Sequence, residues 1–349
     1  MLRPSFRVLA LFGLFLVLAV LPGCKGCGSQ PAAGGRPQVV VSIWPIYDVT
    51  KRVAGNDADV KLLLPPGQNE HHFDPTPKDI EAAARASLGV MVGLGLDPWM
   101  EKLMKDAAPK ARLLKVGDRV PILTIKDDPI GDEEADEARK KGDGGAKHDD
   151  DDDDHDHGHG HGHADAGKKA EADHDHDHEK GANDPHVWLD PARMRLIVRA
   201  IAEELGRADA AHAIAYRERA TELDKILDTL DKEAETRTKA LPTKSFVTFH
   251  GSFQYFAERY KLNILAVIEP FPGSQPTGEY VKKVLSVIKA KKVPALFSEP
   301  QLDPRPAKVL ADEAKIPLGV LDPVGGGPET DSYEKMIRYN VTQLEKHLK

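Results

Sequence analysis

The sequence predicts an α/β protein of two lobes, each a parallel sheet flanked by helices, joined by a long rigid linker helix. Two observations support this prediction. In residues 38–116 and again in 246–321, short apolar runs of strand length alternate with segments of helical spacing. Strands that are apolar along their whole length are typical of parallel sheets covered on both faces. Between these stretches, residues 191–242 keep the apolar spacing of long helices.

The first lobe is expected in residues 38–190. Its predicted strands are Val39–Ile43, Val60–Leu64, Leu88–Leu96 and Ala111–Val116, and its predicted helices are Pro77–Arg85 and Pro98–Ala107. In parallel sheets of this kind, ligands bind outside the carboxyl ends of the strands. The loop after Leu64 is therefore the first place to look for a site.

The linker is expected in residues 191–242 and the second lobe in 243–349. After a break near Gly206 and Asp209, one helix of thirty-odd residues would extend about 50 Å, enough to pass along both lobes. The second lobe repeats the α/β alternation. Its predicted strands are Phe246–Phe249, Ile264–Ile268, Ala295–Ser298 and Leu318–Leu321, and its predicted helices are Phe253–Tyr260, 281–288, Arg305–Lys315 and one that starts at Asp331.

The N-terminus has the features of an export signal. Arg3 and Arg7 precede the apolar run Val8–Leu21, which is too short to span a bilayer comfortably. The ending Leu21-Pro22-Gly23-Cys24 resembles the lipobox of bacterial lipoproteins, in which the cysteine carries the lipid. We therefore predict a signal peptide at 1–23, lipidation of Cys24, a tether at 24–37, and a membrane-anchored lipoprotein in the periplasm or on the cell surface. Plain secretion with cleavage nearby is the alternative.

Residues 126–182 are predicted to be a disordered insertion in the first lobe. Residues 126–180 hold 21 acidic and 8 basic residues, a net charge of −13, whereas the whole chain carries −8. Such a composition cannot bury enough apolar surface to fold. The insertion also holds nine of the fifteen histidines, namely His148, His155, His157, His159, His161, His163, His174, His176 and His178. Tracts rich in histidine bind divalent metals weakly, which we favour over a merely solubilising role.

Four further residues are candidate ligands because of where they stand. His71 and its neighbour His72 lie in the loop after the second predicted strand, and only one of them is expected to face a shared site. His186 lies just before a helix whose N-cap is Asp190, and His250 and Asp322 each follow an apolar strand directly. Each residue alone has an ordinary structural explanation, so their combination carries the argument.

Five motifs follow one another along the chain. They are Gly67-Gln68-x-x-His71-x-Phe73-x-Pro75-x-Pro77-x-Asp79, Asp184-Pro185-His186-x-Trp188-Leu189, the strand ending in His250, Phe297-Ser298-Glu299-Pro300-Gln301, and Leu321-Asp322-Pro323. In this order they resemble the solute-binding proteins of zinc and manganese ABC importers, and the resemblance runs from Gln38 to the end of the chain. It is closest to the zinc-uptake, ZnuA-like branch, which often carries a His/Asp-rich insertion at this place. Glu70 departs from the family, where its position is often proline.

The resemblance implies a site residue by residue. The positions that match His71, His186, His250 and Asp322 bind the metal between two lobes. Glu299 matches a nearby acidic position. We expect its side chain to lie behind these ligands or to serve as an occasional substitute ligand. The implied function is high-affinity capture of Zn²⁺ outside the cytoplasm and its delivery to the membrane permease of an ABC importer with its cytoplasmic ATPase. We expect a monomer with no nucleic-acid partner.

Coordination chemistry agrees with that implication. Three imidazoles and one carboxylate suit tetrahedral Zn²⁺, whereas a site richer in carboxylates would favour Mn²⁺. Four protein ligands leave no position for an activated water, which argues for carriage and against catalysis. The alternatives are a Mn²⁺-binding importer component, a metal-dependent hydrolase with Glu299 as general base, and a metal-buffering or adhesive surface protein.

Deleting residues 148–178 should leave the fold and one tight Zn²⁺ site intact, because the insertion contributes no apolar surface to the core. What should disappear is a set of weaker sites, whose affinity falls as pH drops through ~6.5 and the imidazoles become protonated. Calorimetric zinc titration of the deletion variant checks this. Loss of the tight site would mean that the insertion supplies ligands to it, and unchanged stoichiometry would mean that the insertion binds no metal.

Overall fold

The computed structural model describes residues 35–125, 183–269 and 276–349. The signal peptide, Cys24, nearly all of the tether and the His/Asp-rich insertion lie outside the described residues. Arg36–Lys349 form one compact unit, which contains all the helices and strands described below. Within the described ranges, no helix is long and apolar enough to cross a membrane.

The first lobe alternates strands and helices. Its elements are β1 (Gln38–Val41), α1 (Trp44–Ala54), β2 (Asp59–Leu62), α2 (Pro77–Arg85), β3 (Leu88–Met91), α3 (Pro98–Ala107) and β4 (Arg112–Lys115). The helix α2 begins as its sequence predicts, because Thr76 and Asp79 form a capping box at its N-terminus.

The linker consists of two helices, and the second lobe then repeats the alternation. The elements are α4 (Pro191–Ala208), α5 (Ala213–Lys239), β5 (Ser245–His250), α6 (Gln254–Tyr260), β6 (Asn263–Glu269), α7 (Gly278–Ala290), β7 (Leu296–Ser298), α8 (Arg305–Ala314), β8 (Leu318–Val320) and α9 (Tyr333–His347). The 27 residues of α5 extend about 40 Å at 1.5 Å per residue, somewhat less than predicted.

The two sheets share one topology. Each has four parallel strands, in the order β2-β1-β3-β4 and β6-β5-β7-β8. The predicted fold class, two parallel sheets flanked by helices, is therefore confirmed. In both sheets the second strand lies on one side of the first strand, and the third strand lies on the other side. In sheets of this kind a crevice forms outside the carboxyl ends of the strands where the order reverses.

Helix α1 was not predicted from the sequence. Trp44 directly follows the predicted strand Val39–Ile43, yet it begins a helix, and Pro45 lies in the first turn, where a missing N–H does no harm. Ile46, Val49 and Val53 form the buried face of this helix. Their helical spacing was a usable signal, obscured by the apolar run just before it.

One hydrophobic core runs through both lobes. It takes residues from both sheets, from the linker and from the segment around His186, including Val41, Val90, Trp188, Leu227, Phe246 and Phe297. Trp188 is fully buried within it. Separating the lobes would expose this apolar surface to water, so the shared core holds the two crevices in one arrangement.

Candidate metal centre

The loop between β2 and α2 turns sharply at Asn69–His72. The backbone N–H of His72 lies 3.4 Å from the carbonyl oxygen of Asn69, and the N–H of His71 donates to the Asn69 side-chain oxygen at 2.8 Å. Asparagine favours such turns because its side chain can accept a hydrogen bond from the backbone two residues on. Glu70 and His71 occupy the centre of the turn, Glu70 buried and His71 half-buried, while His72 is exposed.

His186 is held by a carboxylate beside it. Its Nδ1 lies 2.7 Å from Oδ1 of Asp184, and its backbone N–H donates to the same oxygen at 2.9 Å. The short helical turn Val187–Leu189 follows at once, and the buried Trp188 anchors it in the core. A buried carboxylate at Nδ1 favours the tautomer with hydrogen on that nitrogen, which leaves the lone pair on Nε2.

His250, the last residue of β5, is held in the same way. Its Nδ1 lies 3.2 Å from Oε2 of Glu299, which follows β7, and the hydroxyl of Ser252 donates to Oε1 of Glu299 at 2.9 Å. All three side chains are buried. Glu299 therefore stands behind His250 and orients its ring.

These residues meet in one cluster. Ligand atoms of Glu70, His71, His186 and His250 all lie within 4.8 Å of one another. The ring centroids of His186 and His250 are 4.9 Å apart, and that of His71 is 5.5 Å and 5.2 Å from them. A tetrahedral ion with bonds of about 2.0 Å separates its ligand atoms by roughly 3.3 Å, so small side-chain movements suffice to complete such a shell.

One atom of the cluster indicates a ligand directly. Nε2 of His186 is buried and has no hydrogen-bond partner among the described residues. Buried polar atoms are nearly always satisfied, because an unsatisfied one costs free energy. An imidazole nitrogen with a lone pair, fixed by Asp184 on its other side, fits a metal ion.

The buried charges shift two pKa values. Burial raises the pKa of Glu70, partly offset by attraction to His250 and His186. For His250, burial acts to lower the pKa, but the charge and hydrogen bond of Glu299, helped by Glu70 and Asp184, outweigh it and raise the pKa above 6.5. The cluster thus attracts cations, protons included.

The structure does not bring Asp322, the fourth predicted ligand, into this group. Its carboxylate accepts hydrogen bonds within its own loop, from the backbone of Gly325 at 2.8 Å and Val324 at 3.2 Å. It also accepts one from Gln301 at 2.8 Å and one from the hydroxyl of Thr330 at 3.0 Å. This carboxylate is therefore engaged in holding the loop after β8, and Glu70 contributes the acidic group of the cluster instead.

Sequence reasoning did not identify Glu70, Asp184 or Ser252 as part of the centre. For Glu70, the usable signal was Asn69, because a turn places adjacent side chains on one side while an extended loop separates them. Asp184 lies two residues before His186, and a carboxylate close to a candidate ligand can orient its ring. Ser252 had no distinguishing signal.

Comparison with known proteins decides the family. The family profile described as "Zinc-uptake complex component A periplasmic" (ZnuA) matches residues 39–347. The chain belongs to the ZnuA family. The high-affinity zinc uptake system protein ZnuA of Brucella abortus is 34% identical over 343 residues, covering 96% of this chain and 98% of its own. The resemblance predicted from the motifs is confirmed.

Other relatives extend this picture of the ZnuA family. The manganese ABC transporter substrate-binding lipoprotein PsaA of Streptococcus mitis is 27% identical over 350 residues, 97% of each chain. A crystal structure of ZnuA superposes with a TM-score of 0.70 at 20% identity, covering 90% of this chain and all of that one. The periplasmic zinc binding protein TroA of Treponema pallidum gives 0.68 at 21% identity, covering 90% and 99%. The protein is thus a solute-binding component of the ZnuA type and not an enzyme.

The raised pKa of His250 makes a prediction about pH. Only the neutral imidazole binds metal, so a raised pKa means that zinc affinity begins to fall at a higher pH than for an ordinary histidine. Replacing Glu299 by Gln removes the charge that raises this pKa and leaves the burial that lowers it. We expect the pKa of His250 in the metal-free protein, measured by NMR titration, to lie above 6.5 and to fall in the variant.

The control for this titration is Glu313→Gln, since Glu313 is an exposed glutamate that pairs with Lys289. It should leave the pKa of His250 unchanged. An unaltered or higher pKa in Glu299→Gln would show that another group sets the charge of His250.

Proposed function

We propose that this protein captures Zn²⁺ outside the cytoplasm and delivers it to the membrane permease of a metal ABC importer, which a cytoplasmic ATPase drives. The observation that carries the proposal is the convergence of three imidazoles and one carboxylate, whose candidate ligand atoms all lie within 4.8 Å of one another. The importer class follows from membership of the ZnuA family. In this function the metal is the substrate, and the protein must both hold it and release it.

Zinc is the proposed metal because of the ligand types. His71, His186 and His250 offer nitrogen atoms and Glu70 one carboxylate. Such a set suits tetrahedral Zn²⁺, whereas Mn²⁺ prefers more oxygen atoms and a larger shell. Manganese is the second candidate, since the Streptococcus mitis relative is named a manganese transporter protein.

We assign the fourth ligand to Glu70 in place of Asp322. Glu70 is 2% exposed and its carboxylate faces His186 and His250 closely enough to interact with both charges. The carboxylate of Asp322 would first have to give up its hydrogen bonds to Gln301 and to the backbone of Gly325. Four protein ligands close a tetrahedral shell, which suits carriage of the ion.

The remaining predictions complete the proposal. Lipidation of Cys24 would anchor the protein at the outer face of a membrane, in the periplasm or on the cell surface, with 24–37 as tether. The protein would act as a monomer with lobes at 38–190 and 243–349 and a linker at 191–242. The insertion at 126–182 would bind zinc weakly and raise its local concentration.

Two matched substitutions separate the carboxylates. Glu70→Gln should weaken Zn²⁺ binding by orders of magnitude, because it removes a charged ligand from a closed shell. Asp322→Asn keeps an acceptor oxygen in its loop and should cost much less. The measurement is competition of metal-free protein with a chelator of known affinity, run with Zn²⁺ and with Mn²⁺.

We expect the wild-type protein to prefer Zn²⁺ strongly over Mn²⁺. A larger loss in Asp322→Asn than in Glu70→Gln would make Asp322 the ligand. A wild-type preference for Mn²⁺ would overturn the proposed substrate.

A further inference from the structure

The segment that carries His186 is tied to the second lobe at three points. The hydroxyl of Tyr255 in α6 donates to the carbonyl oxygen of Asp184 at 2.8 Å. The indole N–H of Trp188 donates to the carbonyl oxygen of Pro323 at 2.7 Å, and the hydroxyl of Tyr333 in α9 donates to the carbonyl oxygen of Trp188, also at 2.7 Å. These bonds hold the chain at Asp184 and at Trp188, on either side of His186 in the sequence.

Tyr255 is placed to act on the metal centre through its hydroxyl group, which makes two hydrogen bonds. It lies five residues after His250, at the start of the helix that follows that ligand, and it bonds to Asp184, which in turn holds His186. A short chain of contacts therefore connects the two histidines across the lobes. The centroids of the two rings lie 4.9 Å apart.

The hydroxyl of Tyr255 also binds the segment around Leu123, which lies beside Asp184. It accepts a hydrogen bond from the backbone N–H of Leu123 at 2.8 Å, and Leu123 in turn accepts one from the N–H of Asp184 at 2.8 Å. Leu123 and Asp184 flank the stretch 126–182. Tyr255 thus holds Leu123 and Asp184 together next to the centre.

The surroundings of Tyr255 keep its hydroxyl protonated and its ring fixed. Burial raises the pKa of Tyr255 to about 12, so the hydroxyl remains a donor at neutral pH. The guanidinium of Arg193 lies over the ring, 4.6 Å from its centroid, and Arg193 also donates to the carbonyl oxygen of Pro121 at 2.9 Å. Tyr333 is fully buried, so its ring too is fixed by packing.

We propose that Tyr255 and Tyr333 are positioning residues that hold His186 at its working distance from His250 before the metal arrives. This rests on the proposed capture of zinc at the cluster. A site whose ligands are already in place avoids the entropic cost of ordering them on binding. Loss of either hydroxyl loosens the His186 segment and speeds zinc release while the four ligands remain present.

The test compares Tyr255→Phe with Tyr280→Phe. Tyr280 is a suitable control because its hydroxyl also donates to a backbone carbonyl, that of Val267, at 2.8 Å, but within the second lobe. The measurements on the full chain are zinc affinity by chelator competition and the zinc dissociation rate. We expect about a tenfold loss of affinity in Tyr255→Phe, typical of changes to groups behind metal ligands, and wild-type affinity in Tyr280→Phe.

A double-mutant cycle separates positioning from a general loss of stability. Asp184→Ala keeps the backbone carbonyl that Tyr255 binds and removes the carboxylate that holds the ring of His186. If Tyr255 acts by placing that carboxylate, Tyr255→Phe should cost little further affinity in the Asp184→Ala background. Full additivity of the two losses would overturn the proposal.

Wild-type affinity in Tyr255→Phe would also overturn it. If that variant does not fold, Tyr333→Phe decides in the same way, because it removes the bond at the other end of the segment. A wild-type protein that fails to bind zinc tightly would instead refute the proposed function, and this inference with it.

Discussion

The hydrogen bond between Asp184 and Nδ1 of His186 is the interaction on which the centre most depends. It is 2.7 Å long and buried, and the same carboxylate oxygen accepts the backbone N–H of His186. The ring therefore cannot turn, and its Nε2 must face the cluster. Glu299 does the same for His250 from the second lobe. Two buried carboxylates, one for each histidine, convert flexible imidazoles into ligands of fixed direction and fixed tautomer, and they add negative charge that attracts a cation.

The fold places these pairs opposite each other. Both sheets have the same strand order, and His250 and Glu299 lie at the carboxyl ends of β5 and β7. Asp184 and His186 lie instead in the segment just before α4. The shared core and the bonds from Tyr255 and Tyr333 then hold the two crevices together. In the described structure the four candidate ligand atoms are close enough that a metal ion would need only small side-chain movements. If zinc binds here as proposed, the ordered ligands favour tight binding, and any motion that separates His186 from His250 favours release.

Much of this could be predicted from sequence, and the failures have physical reasons. Parallel strands and helices were predictable because apolar periodicity is a local feature, and the three histidines were predicted from the family motifs that contain them. Glu70 was set aside as a departure from the family motif, because its place beside His71 depends on the turn that Asn69 forms. Asp322 was predicted as a ligand from its position and the family resemblance, neither of which shows the hydrogen bonds that its carboxylate accepts. The cross-lobe bond from Tyr255 joins residues 71 positions apart, a distance at which periodicity carries no information.

We propose that three imidazoles and one carboxylate enclose a single zinc ion. X-ray absorption at the zinc edge examines this shell itself, in protein loaded with one equivalent of Zn²⁺ and with residues 148–178 deleted so that only the tight site is occupied. We expect a four-coordinate ion with three imidazole nitrogens and one oxygen at about 2.0–2.2 Å. A six-coordinate shell dominated by oxygen, or a shell with fewer than three imidazoles, would refute this coordination.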